Sequence, residues 1–277
     1  MTTAAPLQFD EIGYWSELKL EIVEKYGSSY TTAFAKQKRL KKYYIDAYSG
    51  PGVHRSKQTG KQIEGSPARA LNVSPPFDHF YFIDLNPNKT AYLAGLCQGR
   101  MDVDIVTDDA TMYLTRDLLP TIQFEKYNRA LCLLDPYGLH LDWEVMLQAG
   151  RSRAIDVFLN FPVMDMNRNA IWKNPEQASR GGTERMTRFW GDESWKQAAY
   201  TDSPQYNLFS RPNRVKQVNE VIVAAFRDRL KKVAGFNVVP EPLAMRNSNN
   251  AVVYYLFFAS QKDVARKIVQ DIFARYR

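Results

Sequence analysis

The sequence predicts an α/β fold in which a mostly parallel sheet is covered by helices and ends in an antiparallel C-terminal hairpin. Three observations predict it. Short apolar runs at Tyr43–Ala47, Phe80–Ile83, Asp104–Val106, Ala130–Leu134 and Val157–Phe161 are mostly separated by helical patterns, and such alternation specifies parallel strands joined by crossover helices. Helix starts are marked by their chemistry: Ser66-Pro67 and Asn86-Pro87 place a side-chain cap before a proline at the first helical position, and Asp109 and Asp142 can cap the next two. The tail breaks the alternation, because Phe236–Arg246 and Ala251–Ala259 are extended runs separated by Asn247-Ser248-Asn249-Asn250, residues suited to a hairpin turn.

Taken in chain order, residues 1–42 form an N-terminal helical segment. Apolar residues recur at Ile12, Trp15, Leu18, Ile22, Val23 and Tyr26, one face of a helix within residues 10–42 that Gly27 is expected to end. A second amphipathic stretch, Tyr30 to Leu40, runs into Lys36, Lys38, Arg39, Lys41 and Lys42, which reads either as a solvated helix end favoured by the helix dipole or as a phosphate contact. Residues 164–213 read as an irregular insertion rich in Arg and Trp that contains Gly181-Gly182, and insertions of this length inside a compact domain are more often functional than not. Helix resumes over Val215–Val233 before the hairpin. The whole of 1–277 is expected to be a single domain, with 164–213 as a lid.

Composition narrows the class. The 277 residues carry 37 Lys+Arg against 30 Asp+Glu, a formal charge of +7 that favours an anionic partner without establishing one. Two cysteines, with no metal-ligand spacing and three scattered histidines, argue against structural zinc, iron–sulfur ligation and a disulfide framework. No apolar run reaches membrane-spanning length, and the start lacks the layout of a signal peptide, so a cytoplasmic protein with no membrane association is expected.

Chemistry is expected where the strands end, since ligands of open α/β sheets bind outside the carboxyl edge. The first strand runs into Asp46-Ala47-Tyr48-Ser49-Gly50-Pro51-Gly52. Glycines at 50 and 52 let backbone approach a ligand, and the Asp46 carboxylate would repel a pyrophosphate but attract an amino-acid ammonium. With GxGxxG absent, S-adenosylmethionine (AdoMet) is preferred over a dinucleotide. Asp84, followed by Leu85, ends the second strand and can accept both ribose hydroxyls. Asp108 could take the adenine amino group at the end of the third strand, beside Asp109 and Ala110. Strand four delivers Asp135-Pro136-Tyr137-Gly138. Asp135, with the Pro136 carbonyl, would accept hydrogen bonds from an amine next to the methyl group, and Tyr137 offers a flat face. Asn160 ends strand five. Arg168, Trp172, Arg180 and Arg185, with Arg188, Phe189, Trp190 and Trp195, supply the cations and rings of a substrate site for nucleic acid.

The stretches DAYSGPG, FIDLNP, LLDPYG and WSELKLEIVEKY together resemble the three-Cys-motif partner protein family, TcmP. The likeness runs from about residue 14 to 170. It implies a Rossmann-like methyltransferase domain, AdoMet as cofactor and a partner protein carrying a three-cysteine motif. The LLDPYG stretch also resembles the DPPY-type motif of amino-methyltransferases acting on nucleic acid, but the second proline is missing, so Tyr137 sits one place early and Gly138 stands where the aromatic would be. The expected function is methyl transfer to an amine of a nucleic acid or base-like substrate. The competing reading is an AdoMet-binding subunit that docks another protein. An NAD-dependent oxidoreductase fits less well because the glycine fingerprint is wrong, and motifs for hydrolases are absent.

Overall fold

In a computed structural model, residues 9–206 and 212–277 are described. The chain opens with a two-residue strand β1 (Glu11–Ile12) and the long helix α1 (Tyr14–Phe34), followed by β2 (Lys41–Asp46) and the hairpin β3 (Val53–Ser56) and β4 (Gln62–Glu64). Then come α2 (Ser66–Leu71), β5 (His79–Asp84), α3 (Pro87–Leu96), β6 (Val103–Thr107), α4 (Ala110–Tyr113), β7 (Asn128–Leu134), α5 (Trp143–Ser152) and β8 (Ile155–Phe161). Helices α6 (Val163–Asn169), α7 (Arg180–Trp190) and α8 (Trp195–Ala199) lead to the strands β9 (Tyr200–Tyr206) and β10 (Pro212–Lys216). Helix α9 (Asn219–Lys232), β11 (Leu243–Arg246), β12 (Val252–Ala259) and α10 (Asp263–Phe273) complete the chain.

Seven strands form one sheet in the order β11-β12-β8-β7-β2-β5-β6. The five from β6 to β8 are parallel, and β12 and β11 are antiparallel to their neighbours. The predicted parallel sheet with its closing hairpin is therefore present. Strand order reverses between β2 and β7, the position at which a crevice opens in sheets of this class. One face is packed by α1, α2, α3 and α10, where Tyr26 and Phe273 are buried, and the other by α5, α7 and α9, where Phe226 and Met186 are buried.

Local sequence misjudged four boundaries, each for a tertiary reason. Residues 11 and 12 are strand, not helix, because they pair in parallel with Arg55 and Ser56 of the hairpin β3–β4. Gly27 does not end α1. A glycine inside a helix costs about 1 kcal/mol, which is offset by buried Tyr26 and Tyr30. The extended run from Phe236 reduces to β11 because Pro240 and Pro242 remove ladder donors, leaving only a single bridge from Val238 to Ser260 upstream. Helix α9 starts at Asn219 rather than Val215, since 212–216 pair with β9.

The expected irregular insertion 164–213 is largely helical, and its residues 207–211 lie outside the described ones, as do residues 1–8 of the N-terminal segment. Ser179 caps α7 by accepting from the Gly182 amide at 3.1 Å. Any Cβ on Gly182 would lie 1.9 Å from the Asn169 carbonyl, so only glycine lets α7 start against the end of α6. Asn86 and Asp109 cap their helices as predicted, whereas Gly65 takes the cap position expected for Ser66, and Asp142 stands at its cap position without a capping bond.

Candidate functional site

A cleft of about 630 Å³ opens at the reversal point, within the range typical of small-molecule sites. Its floor and walls come from the ends of β2, β7 and β8, from the first turns of α1 and from α6. The N-terminal residues Asp10 to Ile12 roof one side, held there by the pairing of β1 with β3 and by an ion pair of 2.6 Å between Asp10 and Lys89 of α3.

At the centre stands Asp135. One carboxylate oxygen takes the Lys19 ammonium and the other accepts the Asn160 amide at 2.6 Å. Burial opposes the charge on Asp135, but Lys19, in contact with it, and the Asn160 amide hold its pKa below the ordinary carboxylate value. Lys19 is itself only 5% exposed. The sequence reading did not single it out, although a signal existed: 15, 19, 22 and 26 share one helix face, so Lys19 interrupts an apolar stripe between Trp15 and Ile22. Asn160 Oδ1 is buried and has no donor. It joins Asp135 as a second acceptor on this floor, a role expected for the Pro136 carbonyl.

Asp46 is completely buried, and its Oδ2 also lacks a donor. Its pKa is pushed up to about 7, chiefly by burial and also by the Asp135 charge, against the Ser66 hydroxyl, the Tyr48 amide and Lys19, which lower it. Gly50 and Gly52 have left-handed φ of 61° and 79°. A Cβ on Gly50 would meet the His54 ring at 3.8 Å, an ordinary contact at the cleft wall, whereas one on Gly52 would lie 2.9 Å from Leu93. Both positions need glycine for their φ, and Gly52 needs it for packing as well. Asp84 ties this turn down: its carboxylate accepts the Gly50 amide at 2.9 Å and the Asn86 amide at 2.8 Å. Four lone-pair directions on a carboxylate leave capacity for further donors. Leu85 beside it is 70% exposed.

The remaining expected residues separate into groups. Asp108 accepts its neighbour's amide, Asp109 caps α4 through Met112, and Ala110 is buried in the first turn. Tyr48 lines the cleft and donates to the His140 carbonyl at 2.7 Å. Tyr137 is 65% exposed at the mouth, where its hydroxyl accepts from Lys89 at 3.0 Å. The residue after it has to be glycine, because Gly138 has φ of 61° and a Cβ there would lie 2.6 Å from Asp165 Oδ2. This accounts for the missing aromatic in the LLDPYG stretch. Arg168 lines the cleft, while Trp172, Arg180 and Arg185 are absent from its walls. Arg180 pairs with Glu184 in solvent, and Arg185 lines a separate surface depression with Arg188. Phe189, Trp190 and Trp195, expected to stack bases, are each 2% exposed and pack in the core, the first two against Phe226. A second residue that sequence reasoning passed over is His54, which lines the cleft beside Gly50 and Gly65 and is kept less basic than usual by burial. A lone histidine in an apparent loop gave no signal.

Neither a family model nor a curated protein matches the chain. Among solved structures, a protein from Legionella pneumophila str. Philadelphia 1 with the family model DUF519 is 13% identical, with 93% of this chain and 92% of that one covered and a TM-score of 0.51. The two chains share their fold, which here is a mostly parallel seven-stranded sheet covered by helices. An AdoMet-dependent methyltransferase from Clostridium acetobutylicum ATCC 824 aligns over 86% of this chain and 91% of its own at 9% identity and a TM-score of 0.39. The DszA carbon methyltransferase covers 88% and 54% at 12% identity and a TM-score of 0.46. At these identities the likeness is one of fold, and the site must be read from its own residues. Among the described residues no cluster of His, Cys, Asp or Glu suits a metal ion, and no helix is long and apolar enough to cross a membrane.

Proposed function

We propose that the protein is an AdoMet-dependent methyltransferase acting on a neutral amine, of the kind carried by nucleobases. The observation that carries this is the pair of acceptors on the cleft floor, Asp135 and Asn160, with Lys19 bound to the first. A bare buried carboxylate would hold an acceptor amine as its ammonium, which has no lone pair to give. The Lys19 charge beside Asp135 removes that preference, so the floor suits an uncharged amino group. Two acceptors aimed at its N–H groups orient its lone pair, and orientation is the main contribution such a transfer needs.

The strand ends fit the cofactor. The orphaned Asp46 carboxylate would take its ammonium, the cleft beside Gly50 its amino-acid chain, and Asp84 its ribose, with Leu85, Asp108, Asp109 and Ala110 toward the adenine. When bound, AdoMet supplies an electrophilic methyl group. Arg168 and Tyr137 stand at the acceptor side of the cleft.

Two experiments test this reading. Calorimetry across pH 5–9 addresses the cofactor: an ammonium beside Asp46 requires the carboxylate, so below pH 7 the AdoMet affinity should fall by up to about tenfold per unit. Above about pH 8 the ligand's own amino group loses its charge, so affinity peaks between. 5′-Methylthioadenosine, which has no ammonium, should show neither limb, and parallel profiles for the two would remove Asp46 from the site. The same raised pKa makes the unliganded fold lose stability as pH rises from the ordinary Asp value toward about 7, since the native state then holds a proton that the unfolded chain releases. Methyl-labelled AdoMet offered to RNA, DNA and cell protein addresses the reaction. Asp135→Asn should slow labelling by about 10²-fold or more with AdoMet affinity little changed. A wild type that binds AdoMet and labels no pool would favour the docking subunit instead.

A further inference from the structure

The basic cluster Lys36–Lys42 is not near the cleft. Strand β2 begins at Lys41 and ends at Asp46, so the cluster sits at the opposite, amino edge of the sheet, roughly 17–20 Å away at ~3.3 Å per residue. Four chain segments converge on that edge because β2, β7 and β8 begin there and the antiparallel β12 ends there. Each brings cations: Lys36, Lys38, Arg39 and Lys41 ahead of and at the start of β2, Arg129 at the start of β7, Arg153 before β8, and Lys262 after β12. We propose that this edge is a docking surface for single-stranded nucleic acid, separate from the cleft.

Convergence sets these cations apart. Among the described residues none of the seven joins an ion pair, and four chain segments bring them to one edge, whereas cations elsewhere that also join none, such as Lys57, Lys173 and Lys267, come from separate elements. The carboxylates that are near are engaged or few. Asp78 holds Lys42 at 3.3 Å, and Asp156 accepts the Tyr26 and Ser260 hydroxyls at 2.6 and 2.5 Å; Glu125 alone stands exposed beside Lys126. Aromatic rings lie between the charges. Arg39 sits 4.3 Å from the centre of the Tyr127 ring, which is 42% exposed, and Arg129 and Lys262 flank Phe124 at 3.7 and 5.0 Å. Arg129, Arg153 and Lys262 also line a small depression of about 30 Å³ beside Phe34. Cations outside ion pairs with interleaved rings are what a single strand needs, phosphates on the first and bases on the second.

The proposal stands apart from the chemistry of the cleft and is read without AdoMet. Fluorescence anisotropy with labelled 20-nucleotide single strands, one RNA and one DNA of mixed sequence, measures affinity against salt. Five phosphate contacts would give a log–log slope of roughly −3.5, at about −0.7 per contact. The triple variant Lys36→Glu, Arg39→Glu, Arg153→Glu changes only exposed side chains, and it should bind at least about tenfold more weakly with a slope shallower by about 2. Its calorimetric affinity for AdoMet and its melting temperature should match wild type. Should the triple variant prove unstable, Arg39→Ala alone should still weaken binding and flatten the slope. Wild type binding neither strand, charge-reversed protein binding both as well as wild type, or binding of phosphatidylserine vesicles in place of the strands, each overturns the proposal.

Discussion

Lys19→Met is expected to destabilise the fold by about 1–3 kcal/mol at neutral pH, the cost of leaving the half-buried Asp135 carboxylate without its buried partner. Asp135 would keep its charge in a pocket where only the Asn160 amide still donates to it. The sign of the pH dependence should change with the substitution. In wild type the Asp135 pKa is depressed, so its contribution is present above the unfolded carboxylate value and is lost as pH falls through the folded one. Without Lys19 burial is opposed chiefly by the Asn160 amide, the folded pKa rises, and stability declines as pH rises from about 4. Urea unfolding at pH 5 and pH 8 measures this: the deficit of the variant should be small at the lower pH and full at the higher. Adding Asp135→Asn to Lys19→Met should recover much of the loss, since the uncompensated charge is then gone. A single variant as stable as wild type at both values would mean that the pair does not form.

Asp84→Ala should be the most damaging change for cofactor binding. The carboxylate holds the Gly50 and Asn86 amides while only 7% exposed. Hydrogen bonds to a charged group contribute about 1.5–3 kcal/mol each, so removing it releases the glycine turn and, on our reading, the ribose contact together. AdoMet affinity should drop by about 10²-fold or more by the same bookkeeping. Asp84→Asn separates the two effects. It keeps an acceptor for one amide, so stability should recover further than affinity does. Retention of wild-type affinity by Asp84→Ala, measured by calorimetry, would rule out its place in the site.

What could be read from the residues followed from chemistry that is local. Proline after a capping residue starts a helix whatever surrounds it, and Asn86 and Asp109 cap as expected. Glycines at 50 and 52 marked a strand-ending turn where backbone can come close to a ligand, and the structure gives both of them left-handed φ. Acids at the ends of successive strands share a sheet edge by topology alone, so Asp46, Asp84, Asp108 and Asp135 could be assembled before any coordinates. The partner of Asp135 could not, because Lys19 lies 116 residues away and reaches it only when α1 packs across the sheet.

The alternation of short apolar runs with capped helices determined the parallel sheet, its closing hairpin and the edge at which the cleft opens, because side-chain periodicity and cap chemistry act within a few residues. Tertiary packing decided the rest. It made strand of residues 11 and 12 through pairing with a distant hairpin, and it carried α1 through Gly27 by burying the tyrosines on either side of the glycine. It took three aromatic residues of the insertion into the core, two of them against Phe226, since burying rings of that size removes much apolar surface from water. Strand direction put the lysine cluster on the edge away from Asp135. Which cations meet which carboxylates depends on how helices lie across a sheet, and no spacing along the chain encodes that.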